Sequence, residues 1–392
     1  MKEAVIVSAV RTPVGKAPRG MFKTVQPEHL SVTAIRAALE RAPGLEPAEI
    51  DDVIMGCAFP EAEQGLNCAR NYALLAGIPD TVPGVTLTRF CASGLQAIVF
   101  AAQAIMTGQA EVILAGGIET MSRVPGGGNK QMSSWDMQEV NPGVYASMGI
   151  TAENVAERFN IGREEQDIFA AESQRRALAA IQNGTFADEI VPVEITHRLP
   201  GPDGTVIEKK TMATTDEGVR PGTTIEVLSR LRPVFKKNGT VTAGNSSQTS
   251  DGAAAAIVMT AEKAEALGLE PLGRFVAFAA AGCDPALMGI GPYYAIPKVL
   301  KLAGMTMEQM ELIELNEAFA SQSVYCMREL GIDREILNVN GGAIALGHPL
   351  GATGAKLTAT LLHEMKRRDN RYGLVSMCAA GGIGCAAIFE RL

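Results

Sequence analysis

Apolar and polar positions along the chain follow two rhythms. Short unbroken apolar runs predict buried strands at residues 4–8, 53–58, 85–88 and 112–115. Between them apolar residues recur at helical spacing: Leu30, Val32, Ile35 and Leu39 within residues 28–41, then residues 66–76, then the Ala-rich residues 94–106. Strands alternating with long helices predict an α/β layered architecture. From residue 120 to 245 the rhythm breaks. Gly126-Gly127-Gly128 and Asn141-Pro142-Gly143 are turn signals, and only residues 151–159 and 163–183 read as helices. An excursion of that size is too long to be structureless inside a compact domain, so a separate lobe with a binding role is expected. The α/β rhythm returns at Ser250-Asp251-Gly252. Strand or helix signals follow at residues 253–259, 261–267, 272–281, 293–303, 311–315 and 317–330. Thr306 and Gln309 have capping-box spacing. Residues 337–340, a Gly-rich loop, a helix over residues 351–367 and strands around Leu374 and Ala386 close the chain. Residues 86–117 and 337–382 share one order of strand, reactive turn, helix and strand ending in a Gly pair, which points to a duplicated unit.

Composition narrows the class. A length of 392 residues suggests two or three domains. With 47% hydrophobic and 20% charged residues the chain can bury a large core, which excludes disorder. A net charge of −8 argues against nucleic acid as the main partner, but it leaves room for a local basic patch around one anionic ligand. Seven cysteines without a Cys-x-x-Cys pair point to a reducing compartment and mostly inert thiols. No apolar run approaches the ~18–20 residues of a membrane span. The start shows no signal or transit pattern, and Glu390-Arg391-Leu392 is not a peroxisomal address, so the cytoplasm is the expected location.

Few residues carry candidate chemistry. Cys91, in Thr88-Arg89-Phe90-Cys91-Ala92-Ser93-Gly94, falls between a strand and a helix, where unpaired N–H groups favour a thiolate nucleophile. His348 alone among the four histidines is framed by glycines and a proline, and it is the candidate base for Cys91. Cys378 ends a strand ahead of Ala379-Ala380-Gly381-Gly382, and its position leaves a catalytic thiol and a core cysteine equally open. Cys57, Cys68, Cys283, Cys326 and Cys385 read as structural. Asn316 opens a predicted helix. Its residues alone favour a helix cap over an amide that holds a water or an oxyanion. Two glycine-rich segments do not hold up as nucleotide motifs. Too little chain follows Gly382 for a pyrophosphate-binding helix, and residues 351–356 lack the Gly-Lys-Ser/Thr ending of a phosphate loop.

Four ordered segments together resemble the thiolase family over essentially the whole chain. They are Cys91-Ala92-Ser93-Gly94-Leu95-Gln96, Asn316-Glu317-Ala318-Phe319-Ala320, the Gly-His-Pro segment within residues 340–354, and the closing Cys-Gly-rich segment within residues 377–384. The resemblance implies an α/β fold of five αβαβα layers from two similar halves. Residues 1–119 with 246–270 would form the N-terminal half, residues 271–392 the C-terminal half, and residues 120–245 an inserted loop domain for CoA binding and oligomer contacts. It implies CoA thioesters as substrates, with coenzyme A as co-substrate, no permanently bound cofactor and no metal. His348 would deprotonate Cys91, and Cys378 would act as the second acid and base. One oxyanion hole would use His348 and a water held by Asn316, the other the N–H groups of Cys91 and Ala380. The family commonly has Gly where Ala380 stands, so a positive φ there would be costly. Arg220, Phe235, Ser247 and Phe319 would contact CoA. Ser147 before Met148-Gly149, and residues 288–292, resemble degradative members that cleave 3-ketoacyl-CoA in fatty-acid β-oxidation. Such enzymes are homodimers or homotetramers, some partnered with the preceding β-oxidation enzyme. Acetoacetyl-CoA formation, a decarboxylating ketoacyl synthase and a non-catalytic lipid-binding relative are the alternatives.

Overall fold

The computed structural model describes residues 2–130, 133–201, 203 and 205–392. Strands among the described residues are β1 (Ala4–Arg11), β2 (Gly15–Lys16), β3 (Asp52–Cys57), β4 (Gly84–Leu87), β5 (Val112–Thr120), β6 (Val193–Pro200), β7 (Val206–Ala213), β8 (Ser250–Thr260), β9 (Gly273–Gly282), β10 (Leu312–Leu315), β11 (Tyr372–Ala379) and β12 (Ile383–Glu390).

The main sheet runs β4-β3-β5-β8-β1-β9-β12-β11-β10, and its midpoint is the antiparallel pairing of Val5 with Arg274 and Ile6 with Gly273. Reading outward from that midpoint, both halves repeat one pattern. β1, β8 and β5 are antiparallel neighbours, then β3 and β4 are parallel. β9, β12 and β11 are antiparallel neighbours, then β10 is parallel, and Ile313 makes one further parallel bridge to Leu337. The duplication expected from the shared order of elements is therefore built into the pairing. Residues 337–340 are reduced to that single bridge.

Side-chain alternation separates the layers. Along β8, Ala253, Ala255, Ile257 and Met259 face one cluster with Leu30, Ile35 and Tyr72 from outer helices. Ala254, Ala256 and Val258 face the other way, onto Leu95, Ile98, Leu357 and Leu361. β12 divides likewise, with Ala387 and Phe389 facing inward and Ala386 and Ile388 outward onto Ile296 and Val324. The shared inner layer is the helix Ser93–Met106 packed on the helix Leu350–Arg368. Their crossing needs glycine. A Cβ on Gly94 would lie 2.8 Å from the Gly351 carbonyl, and one on Gly354 would lie 2.1 Å from the Leu95 nitrogen. This close approach brings the starts of both helices together, and with them the turns that carry Cys91 and His348.

Between β5 and β8 the chain forms the helices Met148–Arg158 and Arg163–Gln182 and the hairpin β6–β7. The loop-rich reading missed this hairpin. Its outer stretch, with Thr196, His197, Arg198, Glu208, Lys209 and Lys210, has no continuous apolar face and is largely exposed, so periodicity carried no strand signal there. Thr306 and Gln309 do form a capping box, on a single 3₁₀ turn.

Candidate active site

Cys91 lies in the 3₁₀ turn Phe90–Ala92, between β4 and the helix Ser93–Met106. Phe90 holds a φ of 46°, a conformation that costs a non-glycine residue about 1–3 kcal/mol. Ser93 pins this turn. Its Oγ donates to the Phe90 carbonyl at 2.6 Å and accepts the Arg89 N–H at 2.8 Å. The thiol is buried, and the nearby backbone N–H groups of Ala380 and of Cys91 itself favour its thiolate. Burial outweighs those donors and pushes the thiol up to about 12. The thiolate expected from the helix terminus alone is therefore not the resting form, and a base must remove the proton. Ala380 keeps an ordinary backbone conformation, because the positive φ values fall on Gly381 (81°) and Gly382 (77°). Its methyl group therefore adds no backbone strain.

His348 follows a short helical turn, Ala343–Leu346, and immediately precedes Pro349, the cap of Leu350–Arg368. Its ring is buried. Nδ1 lies 2.6 Å from Thr353 Oγ1, which itself donates to the Pro349 carbonyl at 2.9 Å. The Thr353 proton is thus engaged, so Thr353 accepts from Nδ1–H and the lone pair lies on Nε2. The Asn316 amide Nδ2 meets that nitrogen at 3.3 Å. Burial, and after it the charge of Lys356, pull the imidazole down to about 3, so the ring is neutral at physiological pH.

Asn316 is not a helix cap. The helix begins at Ala320, four residues later, with Phe319 in the cap position. The Asn316 N–H instead bonds the Ser376 carbonyl at 2.9 Å, its amide turns toward His348, and its Oδ1 is buried without a partner. Cys378, near the end of β11, is fully buried beside Phe319, Met288 and Ala318. Burial, and then the nearby Cys91 thiol, hold its proton well above the usual thiol range. The other three histidines bond elsewhere: His29 to the Glu194 carbonyl, His197 to Thr211, and the half-buried His363 to the Ala9 carbonyl.

Several positioning groups escaped the sequence reading. Glu119, buried at the end of β5, accepts the N–H groups of Ala58 (2.8 Å) and Gly351 (2.9 Å) and the amide of Gln64 (2.8 Å). Glu317 accepts from Ser173 (2.6 Å) and Asn338 (2.9 Å) and so holds the loop leading to His348. Their one visible signal was a charge inside or beside an apolar run.

Of the residues expected at CoA, Ser247 is half-buried and its N–H donates to the Ala318 carbonyl, which joins residues 245–247 to the Asn316 turn. Phe319 is buried against the Cys378 cluster, and Phe235, 38% exposed, meets it edge-on at 6.1 Å. Arg220 is exposed, with its backbone held by Gln174. Among the described residues no cluster of His, Cys, Asp or Glu is placed to hold a metal ion, and no helix is long and apolar enough to cross a membrane.

A buried thiol with two N–H donors, a neutral imidazole and a second buried thiol form a constellation suited to acyl transfer through a thioester. Residues 4–262 match the family described as "Thiolase, N-terminal domain", and residues 269–391 match "Thiolase, C-terminal domain". The chain belongs to the thiolase family. It adopts the thiolase fold expected from its four motifs. It is 56% identical to the 3-ketoacyl-CoA thiolase of Bacillus subtilis over 390 residues, which covers 100% of both chains. Among solved thiolase structures, the Bacillus anthracis acetyl-CoA acetyltransferase superposes with a TM-score of 0.91 at 43% identity, covering 100% of this chain and 99% of that one. Human mitochondrial 3-ketoacyl-CoA thiolase gives 0.89 at 41% identity with the same coverage.

Proposed function

We infer that the chain is a 3-ketoacyl-CoA thiolase, an acyltransferase of fatty-acid β-oxidation with coenzyme A as its co-substrate. The observation that carries this reading is Cys91, buried close to Cys378, on a turn packed against the helix that follows His348, whose neutral ring meets Asn316. The full-length likeness to the Bacillus subtilis enzyme supports it.

In this reading His348 Nε2 takes the Cys91 proton as sulfur attacks the 3-keto carbon. The bond between the α-carbon and the keto carbon breaks, and Cys378 protonates the departing acetyl-CoA enolate. The acyl group stays on Cys91 as a thioester. Cys378, now a thiolate, takes the proton of a second CoA thiol. That sulfur attacks the Cys91 thioester, acyl-CoA leaves, and Cys91 recovers its proton from His348. The N–H groups of Cys91 and Ala380 hold one developing oxyanion, and His348 with a water on Asn316 holds the other. Ser247, Phe319 and Phe235 suit the pantetheine arm, and exposed Arg220 suits the phosphates. Buried Met288, Val241 and Ala152 around Cys378 offer an apolar wall to an acyl chain.

A homodimer or homotetramer and a cytoplasmic location belong to the same reading, as does a complex with the preceding β-oxidation enzyme. The exposed edge strand β4, with Val85 and the neighbouring Leu66 open to solvent, supports the oligomer. The ketoacyl-synthase alternative needs a histidine where Cys378 stands. A second reading, acetoacetyl-CoA as sole substrate, draws on the acetyl-CoA acetyltransferase structure. CoA-dependent loss of 3-ketoacyl-CoA across chain lengths separates the two. Activity beyond the four-carbon substrate is expected, and activity confined to it would sink the first reading.

A further inference from the structure

The helix Leu350–Arg368 starts without a side-chain cap of its own. Pro349 holds the cap position and has no side-chain oxygen to offer the free N–H groups of the first turn. An acceptor comes instead from the other half of the molecule. Glu119, fully buried at the end of β5, sets Oε2 2.9 Å from the Gly351 nitrogen and 2.8 Å from the Ala58 nitrogen, just past β3. One oxygen thus receives both N–H groups. The approach is so close that a Cβ on Gly351 would lie 2.6 Å from the Cys57 Cα and 2.6 Å from the Ile118 carbonyl oxygen. From Gly351 the chain leads back three residues to His348. From Ala58 the hydrogen bonds lead to the nucleophile's turn. The Thr88 hydroxyl donates to the Ala58 carbonyl at 3.1 Å and accepts the Phe90 N–H at 3.3 Å. The second oxygen, Oε1, accepts the Gln64 amide at 2.8 Å and faces the Cys57 thiol at 3.9 Å. Gln64 cannot turn over, because its own Oε1 takes the N–H and the hydroxyl of Thr120. Burial favours the neutral acid, but each of these groups donates to Glu119. A proton on either oxygen would find no acceptor among them, so the side chain stands there as a carboxylate.

We propose that Glu119 is a positioning residue for the first proton transfer, tying the Cys91 turn and the His348 turn to one carboxylate oxygen and so fixing how thiol and imidazole meet. This rests on the reading of Cys91 as nucleophile and His348 as its base. The test is the rate at which iodoacetamide alkylates Cys91 in the free enzyme, followed by peptide mapping, a step that needs neither CoA nor Cys378. Glu119→Gln keeps the shape but sets a donor against the fixed Gln64 amide. Alkylation of Cys91 is expected to slow about 10- to 100-fold, as misplacement of a base by a fraction of an ångström would produce. The affinity for CoA, read by calorimetry, stays within about threefold of wild type. Glu119→Asp, which keeps the charge and shortens the reach, is the second variant and should slow alkylation in the same direction. Mere loosening of the fold exposes thiols and has the opposite sign. His348→Gln is the control and should slow alkylation by itself. Adding Glu119→Gln to it should slow alkylation by no more than about a further threefold, because both act on one step. Unchanged or faster alkylation in either Glu119 variant that folds overturns the proposal. A parallel loss of CoA binding overturns it too, as does additive slowing in the double variant, because a general structural defect produces both. Alkylation unchanged in His348→Gln alone overturns the reading of the Cys91–His348 pair itself. Slowing there with normal alkylation in the Glu119 variants overturns only the role of Glu119.

Discussion

His348 works as a base because its surroundings keep it neutral and fix its tautomer. Thr353 takes Nδ1–H, so Nε2 is left to receive the Cys91 proton. Thr353→Val strips Nδ1 of its partner and is expected to lower kcat on the order of tenfold with little change in KM for CoA, measured by steady-state thiolysis. Cys91→Ala removes the nucleophile. Near-complete loss of thiolysis with CoA binding retained is expected, and full retention of function would instead favour a non-catalytic relative. The neutral imidazole also sets a pH dependence. Its folded value of about 3 lies below the ordinary 6.5, so between those values the unfolded chain binds the extra proton. The stability it contributes is complete above about pH 6.5 and falls as pH drops toward 3, by at most about 1.4 kcal/mol per pH unit. Chemical denaturation at several pH values checks this, since His348→Gln should flatten that part of the slope relative to wild type.

The turns matter more than the helices and strands they join. The Phe90–Ala92 turn keeps a strained backbone because Ser93 bonds it twice. Ser93→Ala should cost about 1–3 kcal/mol of stability and reduce acylation of Cys91, read by denaturant unfolding and by acyl-enzyme formation. Cys91 and His348 were legible because each is a reactive side chain in a turn between apolar elements. Asn316 was misplaced as a cap because its segment runs into a helical pattern, and only the structure shows that the helix waits until Ala320. Glu119 and Ser93 act through backbone groups far away or one turn back, and no periodicity records such bonds. The hairpin β6–β7 escaped for the related reason that only its base, at Val193, Ile195 and Ala213, is buried, and its outer stretch has no apolar face to advertise.

At the scale of the molecule, the duplication explains why the site lies where it does. Two copies of one strand order meet at β1 and β9, and their inner helices begin side by side, which brings together the turn that carries Cys91 from one copy and the turn that carries His348 from the other. The shared rhythm of residues 86–117 and 337–382 made this legible in outline. The pairing that proves it depends on contacts between residues hundreds of positions apart. The exposed edge at β4 is the complementary weak point. Val85→Lys should shift an oligomer toward monomer in sedimentation velocity, and an unchanged distribution would place the interface elsewhere. The account as a whole turns on one event, transfer of the shortened acyl chain to Cys91. Mixing the enzyme with 3-ketodecanoyl-CoA in the absence of free CoA, followed by peptide mapping, tests it most directly. The account predicts an octanoyl thioester on Cys91 and one acetyl-CoA released for each thioester formed. An acyl group on any other residue, or acetyl-CoA released with Cys91 unmodified, would contradict it.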